Sequence, residues 1–430
     1  MAKNYKQETK TLHSGQVPDP TTLSRAVPIY RTSSYVFKST EHAANLFGLK
    51  ELGNIYTRLM NPTTDVLEKR LADLEGGVGG LAVSSGTTAI FYSIINLARV
   101  GDEILSSKQL YGGTFTQFNN ILPDLGIKVN FTEDDEPDSW GKKITDKTKA
   151  LYSETITNPT LDVPDFEAIS EIAHDNGIPY IVDSTFTTPA LLRPIEHGVD
   201  IVAHSLTKWI GGHGTAIGGA LVDSGKFDWS KSEKHPLLTE PDQSYHGIRY
   251  AHDLGDLTPL AYILRARLVP LRNLGGCISP DNSWIFLQGL ETLPLRIKRH
   301  SENAAKVAQY LQDHDSVEWV KYPGLDTHPT HENAKKYLKD GFGGMVVFGI
   351  KGGKKAGEKF INNLELFSHV ANVGDAKSLA IHPASTTHSQ LDDKQLAEAG
   401  ITPEFIRLSI GLENIDDIIS DLDDTFKKTR

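Results

Sequence analysis

Between residues 80 and 223 the sequence alternates short apolar runs with longer amphipathic segments. Helix-like stretches cover residues 87–98 and 165–176, and the second opens on an aspartate cap signal and closes at Gly177. The runs of strand length between such segments are, in order, "GLAVSSG", "DEILSS", "IKVNFTE", "KALYSETI", "IPYIVDSTF", "DIVAHSLT" and "AIGGALVD". Strands that alternate with helices form a mainly parallel sheet covered on both faces, and ligands bind beyond the carboxyl ends of its strands.

The flanking segments have a different character. Residues before about Gly80 are rich in loop signals and look more like an arm than a compact unit. After about Leu271 a long helical stretch covers much of residues 283–314, and short strands and a last acidic helix at 415–428 follow. We therefore predict an arm over residues 1–75, a large α/β domain over 76–270, and a smaller C-terminal α+β domain over 271–430.

Charge and cysteine content exclude several classes of partner. The chain has 44 Lys and Arg against 55 Asp and Glu, a net charge of -11, with no basic block of the kind that binds nucleic acid or anionic membrane. Its single cysteine, Cys277, excludes an intrachain disulfide and a multi-cysteine metal site. The start, "MAKNYKQETKTLHSGQ", is polar throughout and lacks the apolar stretch of a secretory signal, so we expect a cytoplasmic location.

A strand runs directly into a helix across "SSGTT", which includes Gly86 and Thr87. The first N–H groups of a helix point outward and carry partial positive charge, so a glycine there lets a phosphate approach closely. The same pattern also fits an ordinary strand-to-helix turn with hydroxyl caps. Neither the GxxxxGK[ST] nor the GxGxxG signature is present at this turn.

The almost wholly apolar run "IPYIVDSTF" ends with Asp183. A carboxylate at the end of a buried strand is costly unless a cation or a hydrogen-bond donor meets it. Asp183 either caps the following turn or pairs with a cation on a bound ligand.

Lys208 stands between hydroxyls and glycines in "HSLTKWIGGHG". Ser205 and Thr207 are two residues apart and share one face of an extended segment. A lone lysine is usually a surface charge, but this one follows an apolar run and is flanked by glycines and a tryptophan. Partial burial would lower its pKa and free an amine for Schiff-base chemistry.

A phosphate cradle, a carboxylate for a cation and a lysine for an aldehyde are the requirements of one cofactor, pyridoxal 5'-phosphate. Each of the three features alone is weak evidence for this cofactor. Their order on successive strands of one domain makes the evidence stronger. With this order, the chain resembles the Cys/Met-metabolism family of pyridoxal-phosphate enzymes, and within it the O-acetylhomoserine sulfhydrylases. The resemblance covers essentially the whole chain and rests on "NIYTRLMNPTTDVLEKRLADLEGG", "LYGGTF", "ETITNPTLDVPD", "IVDSTF", "HSLTKWIGGHG", "ANVGDAKSLAIHPASTTHSQL" and "IRLSIGLE".

The resemblance implies the fold-type-I architecture of the aspartate-aminotransferase-like transferases, with pyridoxal phosphate in residues 76–270. It makes Lys208 the Schiff-base lysine and Asp183 the partner of the pyridinium nitrogen, with Tyr111 stacked on the ring and assisting proton transfer. The other implied cofactor contacts are Gly86, Thr87, Thr185, Ser205 and Thr207.

Two further sets of residues follow from the resemblance. In this family Tyr56 and Arg58 of the arm reach the phosphate of a neighbouring subunit, which implies at least a dimer and suggests a tetramer. Arg407 would bind the substrate carboxylate, with Ser378 and Asn158 beside it, because a guanidinium can form two parallel hydrogen bonds to a carboxylate.

The activity implied is γ-replacement: O-acetyl-L-homoserine and sulfide give L-homocysteine and acetate, the direct sulfhydrylation route to methionine. Cystathionine γ-synthase and the cystathionine or methionine γ-lyases share the same cofactor machinery and remain alternatives. An alternative of another class is a phosphate-ligand binding protein without catalysis.

Two features remain outside this assignment. Arg31 replaces a small or amide side chain usual in the family and leaves local anion binding open. The histidines at positions 204, 213, 382 and 388 lack the spacing of metal ligands, so no metal site is predicted.

Overall fold

A computed structural model describes residues 5–387 and 400–429. A sheet formed within residues 79–223 has seven strands in the order β1-β7-β6-β5-β4-β2-β3. Their bounds are β1 Gly79–Val83, β2 Glu103–Ser106, β3 Lys128–Phe131, β4 Thr148–Glu154, β5 Tyr180–Asp183, β6 Ile201–Ser205 and β7 Gly219–Asp223.

Most neighbours in this sheet are parallel. Strands β6, β5, β4, β2 and β3 pair in parallel, whereas β7 is antiparallel to both β6 and β1. The carboxyl ends of β1, β4, β5 and β6 therefore meet at one edge of the sheet. Glu154, Asp183 and Ser205, the last residues of β4, β5 and β6, are brought to this edge.

Helices cover both faces because successive residues of the strands point to opposite sides. Within β5, Tyr180 and Val182 belong to one apolar core and Ile181 belongs to another. The α-helices are α1 Gln7–His13, α2 Thr40–Phe47, α3 Pro62–Glu75, α4 Gly86–Ile95, α5 Gly112–Thr116, α6 Leu122–Asp124, α7 Pro137–Gly141, α8 Phe166–Asp175, α9 Thr188–Leu191, α10 Pro236–Thr239, α11 Ala261–Ala266, α12 Arg272–Leu274, α13 Pro280–Glu291, α14 Leu293–Gln312, α15 His331–Tyr337, α16 Gly353–Asn363 and α17 Ile415–Thr429.

Short segments of other helix types complete these elements. Two π-helical segments are Gln117–Ile121 and Arg267–Leu271, and the 3-10 segments are Pro194–His197, Trp229–Lys231, Gly255–Leu260 and Pro383–Ser385. Among the described residues, no helix is both long enough and apolar enough to cross a membrane.

A second sheet lies in the C-terminal part of the chain, with five strands in the order β10-β11-β12-β9-β8. Its strands are β8 Val317–Lys321, β9 Met345–Ile350, β10 Ser368–His369, β11 Leu379–Ile381 and β12 Phe405–Ser409. One face packs on α14, α16 and α17 in a core of its own, and Met345, Val347 and Phe405 join a core of the first sheet. The second sheet thereby shares an apolar core with the first.

The prediction of a mainly parallel sheet followed by a smaller α+β unit is confirmed, and each predicted strand forms. The helix predicted over 283–314 is instead two helices that meet at Thr292. Proline has no backbone N–H to donate and is tolerated at the first turn of a helix, and Pro294 lies in the first turn of α14. The boundaries at 75/76 and 270/271 stay predictions.

The first residues of the chain are held to α3 by Arg70, whose side chain is fully buried. Its guanidinium donates to the carbonyl oxygen of Ser14 and to Oε1 of Gln16, both at 3.0 Å. The carboxylate of Glu291 lies 3.7 Å from another nitrogen of the same group. Lys10 and Ser14 also donate to the carboxylate of Asp73 in α3, so Arg70 supplies one part of the polar contact between the arm and this helix.

We expect Arg70→Met to loosen residues 5–16 and to lower the free energy of unfolding by about 1–3 kcal/mol, because two partly buried acceptors lose their donor. Faster hydrogen exchange in residues 5–16 and a lower urea midpoint would be measured. Lys69→Met is the matched control, since Lys69 is exposed and pairs with Asp65 alone among the described ion pairs. Equal exchange rates in the two variants would contradict this account.

Candidate active site

The turn between β1 and α4 forms one wall of the site. The hydroxyl of Ser85 caps α4 by accepting from the N–H of Thr88 at 3.1 Å. The N–H groups of Gly86 and Thr87 are then the ones that the helix itself leaves unpaired. A methyl group on Gly86 would lie 2.6 Å from Cβ of Ser205, so only glycine fits where the turn meets β6. This cradle of N–H groups and hydroxyls suits a phosphate.

Asp183 lies at the floor of the site and is 9% exposed. Its Oδ1 accepts from the backbone N–H of Thr185 at 2.9 Å and from the hydroxyl of the same residue. The Thr185 oxygen in turn accepts from the N–H of Ser205 at 2.8 Å. Within the described ranges Oδ2 receives no hydrogen bond. Burial raises the pKa of Asp183, so an ionised Asp183 favours a cation beside it.

The turn that carries Lys208 is held from two sides. Thr207 Oγ1 accepts from the N–H of Gly218 at 3.1 Å, which closes the loop between β6 and β7. The buried guanidinium of Arg296 donates to the carbonyls of Trp209 at 2.7 Å and Ile210 at 3.0 Å. A methyl group on Gly212 would lie 2.1 Å from a nitrogen of Arg296, so a glycine there lets the guanidinium approach the backbone.

The amine of Lys208 is half-buried and donates to Oδ1 of Asn372 at 2.5 Å. Burial and, secondarily, the positive charge of Arg407 lower the pKa of Lys208. Lys208 forms no ion pair with any residue that the structure describes. A lysine in these surroundings is more readily deprotonated than one on the surface and can act as a nucleophile.

Arg407 lies in β12 and reaches toward the first sheet. Its guanidinium donates to Oδ1 of Asn158 at 3.4 Å. Burial lowers the pKa of Arg407 to about 10, and no carboxylate pairs with it in the described part of the chain. Tyr111 lies near enough to influence this pKa, and its ring is half exposed. Arg407 and Asn158 are therefore disposed to bind an incoming carboxylate.

The structure does not bring every predicted residue to this cluster. Ser378 is fully buried, donates to Glu413 Oε2 and accepts from the N–H of Gly411, both at 2.9 Å. No contact recorded for the described residues joins Tyr56 or Arg58 to Lys208. Arg58 donates to the carbonyl of Arg272, and its guanidinium lies 5.1 Å from the Tyr56 ring centre. The roles predicted for these residues stay predictions.

Arg31, which left anion binding open, donates to the carboxylate of Asp281. The side chain of Arg31 is 75% exposed, so the pair lies on the surface. Its positive charge is thus balanced within the chain.

Sequence reasoning missed Glu154, Asn372 and Arg296. Glu154 ends the buried strand β4 as Asp183 ends β5, so the signal that singled out Asp183 could have found it. Asn372 lies in the quoted motif "ANVGDAKSL" but no spacing rule links it to Lys208. Arg296 is separated from Trp209 by 87 positions and carries no local signal.

The histidines do not assemble into a metal site in the described ranges, where no group of three or more potential ligands converges. His204 is fully buried and bonds to Glu75 at 2.6 Å, and His382 bonds to Ser385 at 2.8 Å. His213 bonds to the carbonyl of Gly211 at 2.7 Å. His388 lies outside the described residues.

The donors of this site fit pyridoxal phosphate. The cradle at Gly86 suits its phosphate, the carboxylate of Asp183 suits its ring nitrogen, and the amine of Lys208 suits its aldehyde. Ser205 belongs to the cradle through its contact with Gly86 and to the floor through its bond with Thr185. The three groups are therefore parts of one connected arrangement.

Comparison with known proteins agrees with this chemistry. An O-acetyl-L-homoserine sulfhydrylase of Leptospira meyeri is 55% identical over 99% of this chain and 98% of its own length. A homocysteine synthase of Schizosaccharomyces pombe is 52% identical over 96% of both chains.

A solved structure from Campylobacter jejuni is similar over the whole fold. It is described as an O-acetylhomoserine (thiol)-lyase containing a pyridoxyl-lysine monophosphate. It shares 43% identity, covers 98% of this chain and 100% of its own, and gives a TM-score of 0.94. The predictions of fold type I, of a pyridoxal-phosphate enzyme and of its cofactor are confirmed. Residues 8–427 match the model of the Cys/Met metabolism PLP-dependent enzymes, and the chain belongs to that family.

Proposed function

We propose that the chain catalyses γ-replacement on O-acetyl-L-homoserine, with sulfide as the nucleophile and L-homocysteine and acetate as products. The observation that carries the proposal is that Asp183 ends β5 and Lys208 follows the neighbouring strand β6, while Arg407, which pairs with no carboxylate among the described residues, lies near enough to lower the pKa of Lys208. The names of relatives at about half identity, sulfhydrylases and homocysteine synthases, support the choice of substrate and nucleophile. In the reaction the Cγ–O bond of the substrate breaks and a Cγ–S bond forms.

Arg407 and Asn158 would bind the substrate carboxylate and so fix the amino acid beside Lys208. The lowered pKa of Lys208 favours the free amine, which can take a proton from Cα and from Cβ in turn before acetate leaves and return one to each carbon after sulfide has added. Pyridoxal phosphate, when bound, supplies the electron sink that makes those carbons acidic. Asp183 would hold the positive charge of the ring nitrogen, and Tyr111 would cover the ring and exclude water from the reacting carbons.

We also infer an oligomer in which Tyr56 and Arg58 serve a neighbouring subunit. The arm exposes several large apolar side chains, among them Val17 at 77%, Leu23 at 76% and Val36 at 96%. An apolar surface of this kind is typical of a protein interface. Tyr56 is itself 39% exposed beside Arg58. A cytoplasmic location and a tetramer stay predictions.

The reaction is tested by supplying O-acetylhomoserine, O-succinylhomoserine, O-acetylserine and cystathionine, each with and without sulfide. We expect homocysteine from O-acetylhomoserine in the presence of sulfide, together with an equal amount of acetate. 2-Oxobutyrate as the main product would assign the chain to the lyases instead. A colourless protein to which borohydride attaches no cofactor would indicate a binding protein without catalysis.

The effect of Arg407 on Lys208 predicts a pH dependence. Removing the positive charge of Arg407 raises the pKa of Lys208, so the fraction of free amine rises only at higher pH. Covalent attachment of pyridoxal phosphate to the apoprotein should therefore be slower in Arg407→Met than in wild type at neutral pH. The difference should vanish above the ordinary lysine pKa of about 10.4.

Attachment is followed by the visible absorbance of the bound cofactor across this pH range. Arg299→Met is a suitable control because Arg299 lies exposed on α14. Identical pH profiles for Arg407→Met and wild type would show that the charge of Arg407 does not act on Lys208.

Sharing of sites between subunits predicts complementation. If Arg58 serves the partner's Lys208, co-expressing Lys208→Ala with Arg58→Ala places one intact site in each mixed dimer. Random pairing should then restore about a quarter of wild-type homocysteine synthesis, although each variant alone is nearly inactive.

The matched control is Lys208→Ala with Asp183→Ala. These residues lie in one chain's site, so mixing them should restore nothing. Equal failure of both mixtures would contradict the shared site, provided that native mass spectrometry, which resolves the two subunit masses, shows mixed oligomers in both.

A further inference from the structure

The side chain of Glu154 has no role in the chemistry described above, although it lies beside it. Glu154 is the last residue of β4 and is paired in register with Asp183 across the parallel strands β4 and β5. It is 5% exposed, and none of the described ion pairs includes it. A buried carboxylate without a cation is costly unless hydrogen-bond donors satisfy its oxygens.

Two backbone donors meet this carboxylate, and each belongs to a different wall of the site. The N–H of Tyr111, just before α5, donates to Oε1 of Glu154 at 2.6 Å. The backbone N–H of Asn158 lies near enough to the Glu154 carboxylate to lower its pKa. Tyr111 is the predicted cover of the cofactor ring, and Asn158 carries the amide that accepts from Arg407. One side chain thus joins the cofactor wall to the substrate wall.

The surroundings of Glu154 favour its neutral form. Burial, and next the charge of Asp183, raise the pKa of Glu154 well above its usual value, while the two backbone donors oppose this shift. The side chain of Tyr152 is fully buried nearby, and burial raises its pKa, with the charges of Asp183 and Glu154 as further causes. The cationic ring of a bound cofactor would lie against Asp183, so the proton is better kept on Glu154.

We propose that Glu154 is a positioning residue that holds the Tyr111 loop over the cofactor and the Asn158 loop against the substrate. It touches neither ligand and acts through the backbone N–H groups of Tyr111 and Asn158 that face its carboxylate. The substrate half of this proposal rests on the proposed function, and the cofactor half does not. Replacing Glu154 should therefore weaken the binding of both the cofactor and the substrate. Replacing a side chain that only supports the fold should weaken the binding of neither.

Two variants of similar size separate the possibilities. Glu154→Gln keeps one carbonyl acceptor, and Glu154→Met keeps none. Without its acceptor the Tyr111 N–H favours a loop opened to water, and burying that N–H again over the cofactor costs a factor of about ten or more, so the dissociation constant of pyridoxal phosphate should rise at least tenfold in Glu154→Met. A smaller rise is expected in Glu154→Gln, since the amide has the shape of a protonated carboxyl group.

The cofactor is titrated into apoprotein and followed by its visible absorbance. The substrate wall is tested by the binding of L-homoserine, which carries the amine and carboxylate but no acetyl leaving group. Its binding is followed through the change that it causes in the same absorbance. Its dissociation constant should rise in the same order, Glu154→Met above Glu154→Gln. Neither readout needs turnover, so failure to form homocysteine would refute the proposed function without touching this test.

Glu68→Gln is the matched control. Glu68 is 7% exposed and also accepts from a backbone N–H, that of Ala82 at 2.8 Å, while its other oxygen pairs with Arg267 at 2.6 Å. The Glu68→Gln substitution should lower the midpoint of thermal unfolding and leave the dissociation constants of pyridoxal phosphate and L-homoserine unchanged. Unchanged constants in Glu154→Gln and Glu154→Met would overturn the proposal, and a rise for one ligand alone would overturn the link between the two walls. If Glu154→Met fails to fold, the comparison of Glu154→Gln with Glu68→Gln decides.

Discussion

The guanidinium of Arg296 fixes the turn on which the chemistry depends. Its nitrogens donate to carbonyls of Trp209, Ile210 and Gly289, so α14 and the end of α13 hold the backbone that follows Lys208. Burial lowers the pKa of Arg296 to about 10, and the carbonyls stabilise the charge that remains. Without this clamp the lysine would lie on a loop rich in glycine, free to take many conformations.

Around that turn two buried groups of opposite charge face the site. Arg407 brings a positive charge from the second sheet, and Asp183 brings a carboxylate from the end of β5. Each is costly to bury alone when charged, and a ligand that is cationic on one side and anionic on the other would satisfy both. The preference for such a ligand follows from burial of these groups as much as from any single contact.

The local sequence pattern predicted the strands and the polar groups at their ends. Strand length, burial and a terminal carboxylate can each be recognised from a few consecutive residues. Lys208, Asp183 and the Gly86 turn belong to this class. Contacts between distant segments leave no such mark: Arg296 meets Trp209 across 87 positions, and the hydroxyl of Ser378 is taken by Glu413. Tyr56 and Arg58 could be assigned only through resemblance, since the group that they are predicted to contact would belong to another chain.

The position of β7 has a consequence for synthesis on the ribosome. Strand β1 pairs with β7. The backbone of residues 79–83 therefore has no partner strand in this sheet until residues 219–223 have been synthesised. While most of the first sheet is being translated, the nascent chain therefore contains an apolar strand whose backbone N–H and C=O groups have no partner strand. When β7 arrives, it joins β1 to β6, so the phosphate turn and the lysine turn acquire their relative positions in the same late event. Chains truncated before residue 219 would keep that edge exposed and would be prone to aggregate.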